Sequence, residues 1–390
     1  MIKLGAQARL KKYVLTQGLC TGCGACAELC PYQVFYHDRT VQLFRCDLAD
    51  GKCYAFCPRT PTDYQSLKKL LFDHDDLTDE IGPVKGFFLA RAADAGVRSR
   101  AQHGGTVTAL LELAMSEGLV EAALVSGQND EGEPEGRLVT NKSDLALYAK
   151  SRFTVSPTLA AFNRIKEEGQ KKIGIVATPC QAQALAKVRT AAIEGYTGAQ
   201  SIGLVIGLFC GWTLAAEKFH SLIGEYCLPL EELKRMDIPP GRNVLELCTA
   251  EKTLEVPLGE VESCIRSACR YCLDSTGEFA DVSVGAARYG MGERQMSGWN
   301  QVLVRSRRGE ELIGLAREKG VLEICDAPDG ALDELKKAAV EKKRQGLENI
   351  VAKSGSRKNL LYLKNYTQPR DKKAGRVKSV SRQKRQDGDS

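Results

Sequence analysis

The feature that most constrains this chain is a run of cysteines near its start. The run reads Cys20-x2-Cys23-x2-Cys26-x3-Cys30-Pro31, the ligand spacing of a bacterial-type iron–sulfur site. Such a cluster needs several thiolates converging on one small volume. Two-residue gaps let a tight loop wrap three of them round one cluster, while the cysteine before proline serves a neighbouring cluster. A second run, Cys46-x6-Cys53-x3-Cys57-Pro58, ends in the same way. The repeated ending predicts a duplicated half-module: one 4Fe-4S cluster on Cys20, Cys23, Cys26 and Cys57, and a second on Cys30, Cys46, Cys53 and one more ligand.

That last ligand is an irregularity. Only Cys46 and Cys53 precede Cys57, and the segment between them is Asp47-Leu48-Ala49-Asp50-Gly51-Lys52. Asp50 stands where the middle cysteine of the run belongs. Three outcomes are open: an oxygen ligand from Asp50 or Asp47, a three-iron cluster, or a rearranged loop. The residue types favour the carboxylate. Zinc fits less well, because structural zinc sites use paired Cys-x2-Cys knuckles set well apart and no Cys-x3-Cys-Pro ending. Residues 1–14 have no apolar core and no cleavage site, so they do not read as a secretory signal. No stretch approaches the ~20 apolar residues of a membrane span. Fifteen cysteines in such a chain point to metal binding in a reducing compartment rather than to disulfides, and to a cytoplasmic protein.

With 390 residues the chain has room for two or three domains. Its net charge of +6 is misleading, because residues 370–390 alone hold eight Lys or Arg against three Asp or Glu. The folded body is therefore nearly neutral, and residues 368–390 read as a disordered basic tail. No recognition motif accompanies that charge, so nucleic-acid binding is not expected.

Residues 1–62 form a ferredoxin-like α+β module, and the charged residues 63–82 link it to the body. Beyond Gly82-Pro83 short apolar runs alternate with helical patterns. Strands are predicted at 86–90, 122–126, 173–177, 202–209, 244–247, 254–257, 282–285 and 301–305, with helices at 105–118, 181–188 and 214–226. This alternation predicts an α/β body with a mixed sheet over 83–330. Residues 331–367 carry a long exposed helix, rich in Lys, Glu, Leu and Ala.

The body has its own cysteine pattern. Cys180 follows a predicted strand and opens a helix, where the dipole favours thiolate. Cys210 ends another strand, and Cys269-x2-Cys272 lies in a loop before Asp274. Strand C-termini are where α/β folds assemble sites, so these four could surround a third cluster. A lone cysteine on an apolar strand is more often a small buried hydrophobe, and Cys264 is a competing ligand. Cys227, Cys248 and Cys325 read as structural. The segment Gln102-His103-Gly104-Gly105-Thr106-Val107-Thr108 is a second candidate site, because a glycine pair at a helix start lets a phosphate or a ring approach closely. There is no G-x-G-x-x-G fingerprint and no Walker A loop.

Taken in order, Gly104-Gly105-x-x-Thr108-Ala109-Leu110-Leu111, Ala177-Thr178-Pro179-Cys180-Gln181, Gly207-Leu208-Phe209-Cys210, Cys269-x2-Cys272-x-Asp274 and Ala280-Asp281-Val282-Ser283-Val284-Gly285 resemble the beta subunit of the coenzyme F-420-reducing hydrogenase and dehydrogenase family. The resemblance covers roughly residues 84–325. It implies an FAD-binding body with one 4Fe-4S cluster on Cys180, Cys210, Cys269 and Cys272. It also implies that Gly104, Gly105 and Thr108 lie against the FAD, with Lys150, Ser151, Arg152 and Phe153 near its phosphates or ring. Asp281 could be only a turn residue. The implied activity is a flavin-dependent iron–sulfur oxidoreductase: hydride exchange with coenzyme F-420 or NAD(P)H, and single electrons passed through the clusters to a partner subunit of a larger complex. A relay subunit without carrier exchange and a metal-binding scaffold are the competing classes. No Ser–His–Asp or paired-carboxylate arrangement is evident, so no catalytic side chain is assigned.

Overall fold

The computed structural model describes residues 4–129, 132–165, 172–229, 232–239, 241–288 and 298–367. The basic tail lies outside them. Eight strands build the central sheet: β1 (Gly86–Ala92), β2 (Ala122–Gln128), β3 (Pro134–Val139), β4 (Ile173–Ala177), β5 (Ile202–Leu208), β6 (Val282–Ala286), β7 (Asn300–Val304) and β8 (Leu322–Cys325). Their order is β8-β1-β7-β6-β5-β4-β2-β3. The middle is parallel, β2 with β4, β4 with β5 and β5 with β6. The flanking pairs are antiparallel, so the sheet is mixed, as its sequence alternation predicts. Ile173, Ile175, Val205, Ile206, Val282 and Val302 are fully buried in it, which is why these strands read as unbroken apolar runs.

Two predicted strands sit elsewhere. Val244–Cys248 and Thr253–Pro257 pair with Arg235–Asp237 in a separate antiparallel sheet. Their alternating burial shows a sheet with one face packed and one wet. Among the described residues no helix is long and apolar enough to cross a membrane.

The N-terminal module has a hairpin, Gln33–Tyr36 with Arg39–Gln42, turned by His37 and Asp38 at positive φ. Helices Ala6–Leu10 and Lys52–Phe56 flank it. The module is built into the body, not tethered to it. Leu159 N–H donates to the Cys23 carbonyl at 3.2 Å, and Asn163 Nδ2 donates to the Ala27 carbonyl at 2.7 Å. Gly24 holds φ +84°, and a Cβ there would stand 2.5 Å from Ala160 N; no other residue permits this approach. Arg266 donates to the carbonyls of Thr21, Cys20 and Asp38.

Residues 63–82, predicted as a linker, contain the helix Tyr64–Leu71, which buries Tyr64, Leu67 and Lys68. The C-terminal helix Ala331–Ser354 forms as predicted but is not exposed all round. Ala331, Leu335, Ala339, Lys343, Gly346 and Ile350 are buried along one face. Their three- and four-residue spacing is an apolar stripe that the many charges mask in the sequence.

Candidate functional site

The loops after β4 and β5 carry the body's first two cysteines. Thr178 caps the helix Pro179–Thr190 through a reciprocal capping box with Gln181. That cap fixes Cys180 in the helix's first turn, 3.3 Å from the Thr178 hydroxyl. Cys210 follows β5, and its N–H donates to the Ser275 carbonyl at 2.9 Å. Cys269 and Cys272 flank a short turn, with Cys269 Sγ accepting from Thr213 N–H at 3.4 Å. Buried Asp274 shapes the next loop by accepting from the N–H groups of Thr276, Gly277 and Glu278 at 2.8–2.9 Å.

The cysteines fall into three sets. Cys180, Cys210, Cys269 and Cys272 act on one another electrostatically. Cys20, Cys23, Cys26 and Cys57 form a second such set. Cys30, Cys46 and Cys53 form a third. Burial, then mutual repulsion among the thiolates, pushes Cys23, Cys26 and Cys210 well above the ordinary thiol value and raises Cys180. Burial pushes Cys57 up to about 11. Thiols gathered this way cannot ionise together unless a strong cation neutralises them, a charge that iron in a cluster would supply. Among the described residues no three Cys, His, Asp or Glu side chains close in tightly enough for a single ion. The first two sets meet at one cavity, which both Cys23 and Cys180 line. Cys264 joins none of these sets. It is buried with Leu214, Phe219 and Val256.

Asp50 lies at the surface. Its carboxylate is 84% exposed and bonds to Arg9 Nη2 at 2.9 Å.

A cavity of about 700 Å³ opens beside the body's four cysteines. Gly105, Thr108, Lys150, Ser151, Arg152 and Phe153 line the same space. Gly105 has φ +75° and starts the helix Thr106–Ser116, whose first N–H, that of Thr106, donates to Asn300 Oδ1 at 3.5 Å and whose next N–H groups lack an intrahelical acceptor. Gly104 does not line the cavity; it packs so closely that a Cβ would stand 2.6 Å from Asn300 Oδ1. Asn300 in turn accepts from Thr106 Oγ1 at 2.9 Å and holds the helix start. A space of this size, with a helix N-terminus, Lys150 and Arg152, fits an anionic cofactor with a flat ring.

Some residues at the site have partners that no local sequence signal predicts. His103 lines the cavity 3.9 Å from Asp237 of the small sheet, and burial lowers its pKa, keeping it neutral. Arg59, just after Cys57-Pro58, also reaches the cavity. It is 2% exposed, lies 4.5 Å over the Tyr362 ring, and its Nε is buried without a partner among the described residues. Asp281 is more than a turn residue: it accepts from Val205 N–H at 2.8 Å and Ser306 Oγ at 2.7 Å, and pairs with Arg189 at 3.1 Å. Glu278 pairs with Lys68 and Lys343, all three buried, which locks the linker helix and the C-terminal helix onto the cysteine loop.

Comparison with known proteins identifies the family. Residues 87–163 and 170–330 match the N-terminal and C-terminal family models of the coenzyme F-420 hydrogenase/dehydrogenase beta subunit, and residues 13–36 match a 4Fe-4S binding domain. The chain is 29% identical over 278 residues to the coenzyme F-420 hydrogenase subunit beta of Methanothermobacter thermautotrophicus, covering 70% of this chain and 96% of that one. It is 28% identical over 285 residues to the F-420-dependent formate dehydrogenase subunit beta of Methanocaldococcus jannaschii, covering 70% and 69%. A chain of the F-420-reducing NiFe hydrogenase complex of Methanosarcina barkeri shares the fold, with TM-score 0.65 at 23% identity over 70% of this chain and 94% of that one. The chain thus belongs to the coenzyme F-420 hydrogenase/dehydrogenase beta-subunit family, with a 4Fe-4S binding module at its N-terminal end.

Proposed function

We propose that the chain is an iron–sulfur flavoprotein subunit that exchanges a hydride between FAD and a soluble carrier and passes single electrons to or from a partner oxidoreductase. The observation that carries this reading is the one cavity lined both by Cys180, Cys210, Cys269 and Cys272 and by Gly105, Thr108, Lys150, Ser151, Arg152 and Phe153. A bound flavin exchanges two electrons as a hydride and single electrons with iron–sulfur centres. The rest is the protein's work. Lys150, Arg152 and the open N–H groups at Thr106–Ser116 hold phosphate. Gly105 lets the ring come close. The four body cysteines hold a 4Fe-4S cluster beside it, and Cys20, Cys23, Cys26 and Cys57 hold the next. The cavity that Cys23 and Cys180 share gives electrons a short path between them.

The names of the relatives favour coenzyme F-420 over NAD(P)H as carrier, and a multi-subunit complex as setting. A cysteine-rich site of this kind suits a reducing compartment, the cytoplasm. Anaerobically purified protein is expected to contain FAD and iron, and reduced coenzyme F-420 is expected to bleach the flavin absorbance where NADH does not. Protein that binds iron but no flavin would leave only a relay role.

Arg59 gives a sharper expectation. A buried cation beside two clusters stabilises their reduced states. Arg59→Met should therefore move the midpoint potentials of both clusters downward, with ~59 mV for each tenfold change in a one-electron equilibrium. Arg59→Lys should recover part of the shift. Potentiometric titration followed by electron paramagnetic resonance reads it, and equal potentials in all three proteins would remove Arg59 from this role.

A further inference from the structure

We infer that the C-terminal helix Ala331–Ser354 is part of the cofactor site, and that Lys342 is its positioning residue, a cation set beside the four body cysteines. The inference rests on the reading that those cysteines hold an iron–sulfur cluster, but not on the flavin.

The helix begins just past residues 170–330, the span that matches the family model, so its role does not follow from that match. One face carries Leu335, Ala338, Lys342, Gly346, Asn349 and Lys353. Their steps of three and four residues stack them in one row along a helix. The first half of the row walls the cavity. Leu335, Ala338 and Lys342 line it together with Cys180, Cys210, Cys269 and Cys272. The second half lies on the turn between the last two of those cysteines. Gly346 packs so closely that a Cβ would stand 2.6 Å from the Cys272 carbonyl oxygen. Asn349 Nδ2 donates to the Arg270 carbonyl at 2.9 Å, and the Lys353 ammonium lies 5.6 Å over the Tyr271 ring. Tyr362, beyond the helix, donates its hydroxyl to the Tyr271 carbonyl.

Lys342 stands where the two halves meet. Its ammonium donates to the carbonyl of Gly211, the residue after Cys210. Its charged neighbours on the helix are paired: Lys337 with Glu334, Lys343 with Glu278, and Arg344 with Glu341 and Glu348. Lys342 has no such carboxylate partner among the described residues, and its charge is spent at the cavity. Four thiolates leave a 4Fe-4S cluster net negative, and reduction adds one more negative charge. A cation fixed at that place favours the reduced state.

The test reads the midpoint potential of the body's cluster in the anaerobically prepared full chain, taken from the reduced-state paramagnetic resonance that Cys180→Ala removes. Lys342→Met should keep its iron and lower that potential by ~59 mV, a tenfold change in the one-electron equilibrium. Lys342→Arg should restore most of it. Lys337→Met, on the same helix but paired with Glu334, should leave it unchanged. Gly346→Ala tests the seating. Alanine favours a helix more than glycine does, yet the new methyl must push against the Cys272 carbonyl, so iron should fall towards the loss of one cluster. Equal potentials in wild type and Lys342→Met, with the cluster present, would overturn the inference alone. Should Lys342→Met lose the cluster, Lys342→Arg decides: restored iron supports the role of the charge, and iron still lost makes the contact steric and overturns it. Full iron and an unchanged potential in Gly346→Ala would show that the helix is not held against the turn. A protein from which Cys180→Ala removes no resonance would sink the cluster reading, and the inference with it.

Discussion

Cys180→Ala and Cys269→Ala are each expected to remove one cluster's worth of iron, about four atoms per chain, and to cut electron passage into the N-terminal module to background. The two residues come from different elements, the capped helix Pro179–Thr190 and the turn Ser267–Tyr271, yet both line one cavity. A cluster bridging them loses a corner when either is truncated. Cys264→Ala is the control. It is as near in sequence to Cys269 as a ligand would be, but it packs among Leu214, Val256 and Val261, so it should cost stability and no iron. The path argument is equally specific. Cys23 of the N-terminal set lines the same cavity as Cys180, so without the body's cluster the cavity and the module lose their link. Iron and acid-labile sulfide assays on anaerobic protein, with bleaching by reduced coenzyme F-420 as the second readout, separate the two effects. Unchanged iron in both variants would refute the ligand set.

Much of this arrangement was legible in the sequence, for physical reasons that can be named. Cysteine spacing is short-range information: Cys20, Cys23 and Cys26 must share a loop, and they do. Strands buried on both faces, such as Ile173–Ala177, announce themselves as apolar runs. Pro134–Val139 does not, since it opens with proline, contains Gly136 and lies at the sheet's edge, where neither packing nor pairing demands such a run. The helix Arg307–Glu318 hides behind its charges and Gly309. The family resemblance linked Cys210 to Cys269, which spacing alone left open. Long-range partners were beyond both kinds of reading. Nothing around Arg59 or Asp237 marks them as cavity residues, and nothing in the His103 segment announces its partner, because their meeting depends on how the module, the helix start and the small sheet dock. The fixing of Asp50 by Arg9, 41 residues away, is the same kind of fact.

Docking of that kind has its own cost, and Glu278 carries much of it. Its carboxylate is buried between Lys68 of the linker helix and Lys343 of the C-terminal helix. Lys343 also donates to the Leu273 carbonyl at 3.1 Å. Glu278→Gln would leave two lysines in a dry site without their counter-charge, at a cost of about 3–5 kcal/mol. Lys343→Met should cost less, because a neutral Glu278–Lys68 pair survives and the methionine keeps the apolar stem. The ratio of the two costs is therefore the test: it should exceed two, whereas an additive count of lost ion pairs would make Glu278→Gln only twice as costly as Lys343→Met. The pH dependence follows from the direction of the shift. Burial opposes ionisation, but Lys343 and Lys68 outweigh it and hold the Glu278 pKa down to about 2. A carboxyl that binds its proton more weakly when folded adds its full stability above the ordinary Glu value, and that stability drains as the pH falls from there towards the folded value. As the pH falls, the gap between wild type and Glu278→Gln in urea midpoints should thus begin to close only below about pH 4.5. A gap already closing near neutrality would mean that the two lysines do not hold this carboxylate ionised, and that the helices are fastened to the cysteine loop by packing alone.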